Sequence, residues 1–334
     1  MMKRRTTLGS IFAGVAAVTA LAALTASPLK AESSRTLKIG YILSNDSQLG
    51  AGAKALAEEL AKRTKGRLKV EQFPNSALGG EVEMLKGVQL GTVDMAFITG
   101  APLPNIQPEV GVFNIPFLFR DAAHAHVVLD GPIGQEYLQK FRAKDMVALA
   151  WGENGMRHIT NSKHEIRTPE DLKGLKLRLP QSEVMLAGFK ALGADVAPLA
   201  FPQLYGALQS GQFDGQENPI ATILSAKFAQ VQKYLTLSGH VYDPAVIVMS
   251  VDTFEDLDEG DKEALIAAAK LGGQASRAYA AEAQAKGAAA LAEAGMKVTS
   301  EIDRAKFAAA MASAVPQFEK SFGAELISKI RDSK

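Results

Sequence analysis

The spacing of apolar residues along the chain alternates between strand-like and helix-like periods, and this alternation predicts its elements. Residues 35–43 read as a first strand, followed by a polar loop at 44–49. From 50 to 65 the apolar positions Ala53, Leu56, Ala57, Leu60 and Ala61 recur at helical spacing, and the pattern stops before Gly66. Residues 67–73 alternate as a strand, 74–80 is a loop, 81–90 a helix and 93–98 a third strand. Such strand–helix alternation predicts a parallel sheet with helices on its faces. Pro102, Pro104 and Pro108 interrupt the pattern. Residues 122–129 and 133–144 are predicted helical, and 146–151 a buried strand.

A second unit begins near Asn154, with strands at 156–161 and 175–179, helices at 182–192 and 202–210, and a strand at 245–251. After Asp256 the composition shifts. Residues 261–295 are rich in Ala, Glu and Lys, with only Gly272, Gly273 and Gly287 to weaken a helix. A pattern of this length exceeds the usual ~8–20 residues of a globular helix. It reads either as two helices broken at Gly272-Gly273 or as one bent helix lying across two domains. A last helix is predicted from about 303 to 330, bent at Pro316. No internal repeat occurs at solenoid spacing.

The first residues have a different logic. Lys3, Arg4 and Arg5 precede an apolar stretch from Ile11 to Ala26, and small residues follow. That is the layout of a secretory signal peptide, with cleavage expected after Ala31. The alternative is an uncleaved anchor, for which the run is short against the ~20 residues that a span needs. Arg4-Arg5 also permits twin-arginine export. Without residues 1–31 the chain has 33 basic and 36 acidic residues, a net charge of −3. This balance lacks the basic footprint of a nucleic-acid binder. The absence of cysteine excludes disulfides, thiol catalysis and thiolate metal sites. About 300 residues suffice for two domains.

No catalytic constellation presents itself: there is no G-x-S-x-G, P-loop or G-x-G-x-x-G. His124 and His126 sit two apart on a predicted helix, so they diverge and cannot share a metal. The acidic cluster at 255–261 lacks calcium-loop spacing and reads as a solvated helix start. Neither a metal nor a cofactor is expected. Two arginines stand out from the other charged residues. In Leu175-Lys-Leu-Arg-Leu-Pro180 the leucines share one face, and Lys176 and Arg178 the other. Pattern alone favours solvated charges there and at Arg157, because arginine is mostly exposed. The functional reading has each arginine facing a cleft and holding a carboxylate through paired hydrogen bonds.

Longer motifs add a family resemblance. Asn154-Gly-Met-Arg-His-Ile-Thr-Asn-Ser162 and Thr168-Pro-Glu-Asp-Leu-Lys-Gly-Leu-Lys-Leu-Arg-Leu-Pro180 come first. Pro198-Leu-Ala-Phe-Pro-Gln-Leu-Tyr-Gly-Ala-Leu-Gln-Ser-Gly-Gln-Phe-Asp-Gly-Gln-Glu-Asn-Pro219 and Lys227-Phe-Ala-Gln-Val-Gln-Lys-Tyr-Leu235 follow. In the first unit, Phe73-Pro-Asn-Ser-Ala-Leu-Gly79, Leu90-Gly-Thr-Val-Asp-Met95 and Ile115-Pro-Phe-Leu-Phe119 belong to the same pattern. In this order, over nearly the whole chain, the motifs resemble the DctP-type solute receptors of tripartite ATP-independent periplasmic (TRAP) transporters. The resemblance implies an α/β, two-lobed periplasmic binding protein (type II-like), with hinge strands and a long helix crossing both lobes. Lobe I would comprise residues 32–153 and 245–285, and lobe II residues 154–244 and 286–334. Arg178 would pair with the carboxylate of an organic acid, Arg157 would be the second basic contact, Asn218 would orient the carboxylate, and Phe201 would pack on the ligand body. The partners implied are that acid and the membrane permease subunits. A periplasmic monomer without enzymatic activity is expected.

The choice of acid rests on the first lobe, whose loops at 44–49 and 76–81 and strand end at 98–100 are expected to face the ligand, as α/β folds place ligands at element ends. Glu81 is followed by Val82, where many relatives carry an arginine, and Thr99 stands where some place an acid. The lost arginine weakens, without excluding, the case for a dicarboxylate. Asn45, Asp46, Gln48, Thr99 and Gln181 are candidates for hydrogen bonds to hydroxyls, so the reading leans to a sugar acid. C4-dicarboxylates and keto or aromatic acids remain alternatives, as does a ligand sensor serving a signalling kinase. Closure is expected to turn on residues 152–155 and 242–245.

Overall fold

A computed structural model describes residues 34–334, and the expected export signal at 1–31 lies outside the described residues. The strands are β1 (Arg35–Gly40), β2 (Leu68–Phe73), β3 (Met95–Thr99), β4 (Met146–Asn161), β5 (Lys176–Leu179), β6 (Asp195–Pro198), β7 (Gly215–Pro219), β8 (Tyr234–Ser250) and β9 (Lys297–Thr299). They order as β2-β1-β3-β8-β4-β7-β5-β6, with β9 beside β8. β1 runs parallel to both β2 and β3, and β5 runs parallel to both β6 and β7.

Between these two parallel halves lie β4 and β8, which pair antiparallel with each other over nearly their whole length. One end of β8 (residues 245–249) pairs with β3, and the opposite end of β4 (residues 157–161) pairs with β7. Two α/β lobes thus share two continuous strands. The sequence pattern broke β4 into two strands at 146–151 and 156–161, and recognised only the last part of β8. Gly152, Asn154 and Gly155 in one strand and Gly239 and Pro244 in the other obscure the signal, because such residues are depleted in strands. The expected turning points face each other across the ladder: Gly152 is opposite Ala245, and Gly155 opposite Asp243, with a register irregularity between Glu153 and Gly155. The short strands β6 and β9 were not foreseen.

Helix Gln48–Arg63 follows the predicted period and buries Leu49, Ala53, Leu56 and Leu60. Its start is fixed by the Ser47 hydroxyl, which accepts from the Gly50 amide at 3.1 Å, as an N-cap does. The long Ala-rich segment is one uninterrupted helix, Glu259–Glu293. It packs on helix Gln48–Arg63, on β4 and on helix Ile220–Ser225, so it crosses both lobes. No helix among the described residues is long and apolar enough to cross a membrane. The last predicted helix is instead three short ones, Arg304–Ala310, Val315–Phe322 and Ala324–Asp332. Pro316 occupies the first turn of the second, where its missing N–H costs nothing.

The glycines that suggested a break in the long helix are sites of close backbone approach. A Cβ on Gly273 would overlap the carbonyl oxygen of Trp151, and one on Gly272 would lie 2.8 Å from that of Gly52. Gly273→Ala is therefore expected to destabilise the fold by roughly 1–3 kcal/mol, because rigid backbone must move. Gly206→Ala is the control. A Cβ there meets nothing within 4 Å, and the helical site should gain about 0.5–1 kcal/mol. Urea denaturation of the two variants measures the contrast.

Candidate functional site

The lobes meet over a buried cluster of charge. β4 carries Arg157 into it, β7 carries Glu217, and β8 carries His240 and Asp243. Arg157 is 1% exposed. Its Nε donates to Glu217 Oε2 at 2.5 Å, Nη1 to Asp243 Oδ2 at 2.6 Å, and Nη2 to Glu217 Oε1 and the Glu217 carbonyl at 2.8 and 2.7 Å. Four of its five N–H groups are thereby committed, leaving one on Nη1. Burial works against both members of this arrangement. The two carboxylates nonetheless hold the Arg157 guanidinium above its ordinary value, and Arg157 holds Glu217 below the usual carboxylate range. His240 Nε2 lies 3.0 Å from Glu217 Oε2, and burial depresses its affinity for a proton. Asp243, also bonded by Asn154 Nδ2 at 2.7 Å, is raised by burial despite Arg157.

Arg178 is buried in the same cluster, 2% exposed, but its pairing is different. Nε donates to the Leu199 carbonyl at 2.8 Å, and Nη1 has no hydrogen-bond partner among the described residues. Burial pushes this guanidinium down to about 9. Glu217 and Glu81 oppose the shift and Arg157 adds to it. Its neighbour on the strand, Lys176, is exposed, as the pattern predicted for both. A buried cationic donor with an N–H group left unbonded is costly, and it is a ready receptor for an anion.

Lobe I supplies the facing wall. Glu81 opens helix Glu81–Gln89 and is buried; its Oε1 accepts from the Thr99 amide at 2.7 Å. Gln48, at the start of its own helix, reaches across the lobes. Its Nε2 donates to the Asn154 carbonyl at 3.1 Å, to Asn154 Oδ1 at 2.7 Å and to Thr222 Oγ1 at 2.9 Å. Two acceptors in this polar network, Gln48 Oε1 and Asn114 Oδ1, are buried without a donor among the described residues. Asn114 joins the network through Nδ2, 3.4 Å from Asp243 Oδ1.

Of the residues predicted to form the site, Arg178, Arg157, Asn218, Thr99, Gln48 and Glu81 are all buried where the lobes meet. Asn218 donates from Nδ2 to Gln216 Oε1 at 2.6 Å. Phe201 is half-buried against Phe228, with ring centroids 6.2 Å apart, in a groove that also includes Ile42, Asn75 and Ser76 of lobe I. Two candidates stand apart. Asn45 is exposed and its Oδ1 accepts from the Tyr41 hydroxyl at 2.6 Å. Gln181 is half-buried, and its carbonyl accepts from Asn105 Nδ2 at 2.8 Å. The sequence reading missed Glu217, Asp243, His240, Asn114 and Asn154 as site residues. Glu217 adjoins the singled-out Asn218, and Asp243 lies within an expected turning point. Asn154, Glu217, His240 and Asp243 lie on buried strands, and Asn114 ends the short helix Pro108–Asn114.

His124 and His126 indeed take different partners: His124 Nε2 lies 2.9 Å from the Ile330 carbonyl, and His126 Nε2 2.5 Å from Glu153 Oε2.

Known proteins share this architecture. The profile of bacterial extracellular solute-binding protein family 7 (DctP) matches residues 39–321. A TRAP periplasmic solute-binding protein from Polaromonas sp. JS666, solved with D-erythronate, is 47% identical with a TM-score of 0.88, over 90% of this chain and 99% of that one. A Bordetella TRAP solute-binding protein, with density assigned to pantoate, gives the same identity, TM-score and coverage: 47%, 0.88, 90% and 99%. The sugar-acid-binding protein of Advenella mimigardefordensis, in complex with galactonate, is 37% identical with a TM-score of 0.87, over 90% and 98% of the two chains. A profile match over most of the chain and two lobes built on the same frame place this protein in the DctP family of TRAP-transporter solute-binding proteins.

Proposed function

We propose that the protein is the extracytoplasmic receptor of a TRAP transporter, that it captures a small hydroxylated monocarboxylic acid between its lobes without transforming it, and that it delivers this acid to the membrane permease. The observation that carries this reading is the unpartnered Nη1 of buried Arg178. The planar fork of a guanidinium matches a carboxylate, and a dry cleft strengthens the pair. The orphaned acceptors Gln48 Oε1 and Asn114 Oδ1 suit donors, as ligand hydroxyls are. D-erythronate, pantoate and galactonate, the acids named with the three relatives, are all hydroxylated monocarboxylates.

In this scheme the carboxylate docks on Arg178, with Asn218 orienting it and the last free N–H of Arg157 beside it. Phe201 packs on the carbon skeleton, while Gln48, Thr99 and Glu81 close from lobe I. Asn45 and Gln181 lie at the rim. The lobes, 32–153 with 245–285 and 154–244 with 286–334, turn about residues 152–155 and 242–245. The receptor works in the periplasm, reached through the signal at its N-terminus.

A thermal-shift screen of organic acids tests the proposal. An acid supplied at 100 times its dissociation constant adds about 2.7 kcal/mol of stability, which a melt detects. Erythronate, pantoate or a longer sugar acid is expected to raise the melting temperature more than succinate does. A larger shift with the dicarboxylate would overturn the ligand class, and no shift with any carboxylate would overturn the receptor reading.

A further inference from the structure

The charges of the cluster do not balance once an anion enters. Arg157 is matched by Glu217 and Asp243, both of which accept its hydrogen bonds. The imidazole of His240 is held towards its neutral form, and that of His158 is pushed down to about 4 by burial, so neither adds positive charge at neutral pH. That leaves Arg178 as the remaining cation and Glu81 as a third carboxyl. Glu81 accepts from an amide, Thr99 N–H, and no guanidinium or ammonium hydrogen-bonds to it among the described residues.

Its charged surroundings are few. Helix Glu81–Gln89 packs on β3, on β8 and on the turn Leu103–Asn105. Neither β3 nor that turn carries an ionisable side chain. The charges that reach Glu81 are Asp243 from β8 and Arg178 from β5, while Glu83 and, in the last turn, Lys86 share its own helix. An acid seated on Arg178 therefore consumes the one cation that favours ionised Glu81 and adds a negative charge beside it. Four carboxyl groups would then face two guanidiniums in a site closed to water, and like charges so placed do not all stay ionised.

We propose that the protein takes up one proton from solvent as it binds its acid, and that Glu81 receives it. The inference rests on the receptor reading above. The balance is simple: a ligand carboxylate, a proton and ionised Glu81 become a bound carboxylate beside a neutral Glu81 carboxylic acid. Glu81 is the group best prepared for this. Burial already raises its carboxyl to about 7, against the Thr99 hydrogen bonds and Arg178 and with the help of Asp243. Glu217 and Asp243, by contrast, are hydrogen-bonded by Arg157. Protonated Glu81 also gains an O–H, a donor that an ionised carboxylate lacks.

The sign follows from linkage. Below pH 7 Glu81 is already protonated in the free protein, so binding takes up little. Above it, up to the range near 9 where Arg178 itself begins to lose its proton, the uptake approaches one proton and affinity falls about tenfold per pH unit. Erythronate is ionised throughout, since carboxyl groups titrate near pH ~4.

Isothermal titration calorimetry of the purified protein with D-erythronate, in buffers of different ionisation enthalpy, counts the protons. The expected result is close to one at pH 8 and close to zero at pH 5.5, with binding about tenfold weaker at pH 8 than at pH 6. Glu81→Gln should take up none and bind with a pH-independent affinity. Binding by the native protein without uptake at pH 8 overturns the inference and leaves the receptor reading intact. Uptake that persists in Glu81→Gln also overturns it, by moving the proton to another group such as Asp243. If the variant binds too weakly to measure, infrared difference spectra of the native protein with 13C-labelled glutamate decide. A carboxylic-acid band that appears on binding and shifts with the label supports glutamate as the acceptor, and an unshifted band or none overturns it. Failure of erythronate and every other acid to bind removes the receptor reading and this inference together.

Discussion

Replacing Arg178 with alanine is expected to weaken acid binding by about 30- to 4,000-fold, the equivalent of ~2–5 kcal/mol for truncating one member of a buried charge pair. Lysine should not restore it, because an ammonium keeps the charge without the two-pronged geometry. Stability should move the other way. Nη1 is buried without a hydrogen-bond partner among the described residues, and such a group costs on the order of 1–3 kcal/mol. Arg178→Met fills similar space without that donor, so the acid-free variant should resist urea as well as the native protein or better. Calorimetric titration and urea melts on the same variants measure the two effects. Undiminished affinity in Arg178→Ala, or a large loss of acid-free stability in Arg178→Met, would show that Arg178 is structural.

Arg157 should behave in the opposite sense. Its removal leaves Glu217 and Asp243 buried with no cation hydrogen-bonded to them, and breaking a buried pair in this way costs about 3–5 kcal/mol. For a chain of this size Arg157→Met should lower the melting temperature on the order of 10 °C. The pH dependence carries a further signature. In the native protein Glu217 is held below its ordinary value, so it contributes stability above the unfolded carboxyl pKa that is lost as pH falls. Without Arg157 burial prevails: Glu217 rises and the sign of its contribution reverses, while Asp243, already raised in the native protein, rises further. The variant's deficit should therefore shrink between pH 8 and pH 5. A deficit that does not depend on pH would mean that packing, not charge, is what Arg157 supplies.

The contrast between the two arginines was only partly legible in the sequence. Arg178 and Arg157 stand in long motifs, and the elements of the first hundred residues follow their hydrophobic period closely. What the pattern hid was polar sheet. Gly215-Gln-Glu-Asn-Pro219 has the composition of a loop, yet it is a fully buried strand, held by β4 on one side and β5 on the other. Its neighbours in space, not its own propensity, make it a strand. Burial then reverses the usual rule for its side chains. Glu217 is interior because Arg157 and His240 meet it there, and those partners lie 60 and 23 residues away along the chain. No local pattern encodes a partner at that distance. The same applies to Gln48, which the sequence placed in a first-lobe loop and the structure joins to Asn154 and Thr222.

The 35-residue helix Glu259–Glu293 has a mechanical consequence. It is clamped backbone to backbone on the first lobe at Gly272 and Gly273, and pressed at Gly287 onto Ile220 and Leu224 of the second. The two clamps are about 21 Å apart at ~1.5 Å per residue. A rod held at both points cannot remain straight while the bodies beneath it rotate, so any relative motion must flex it or slide it over one clamp.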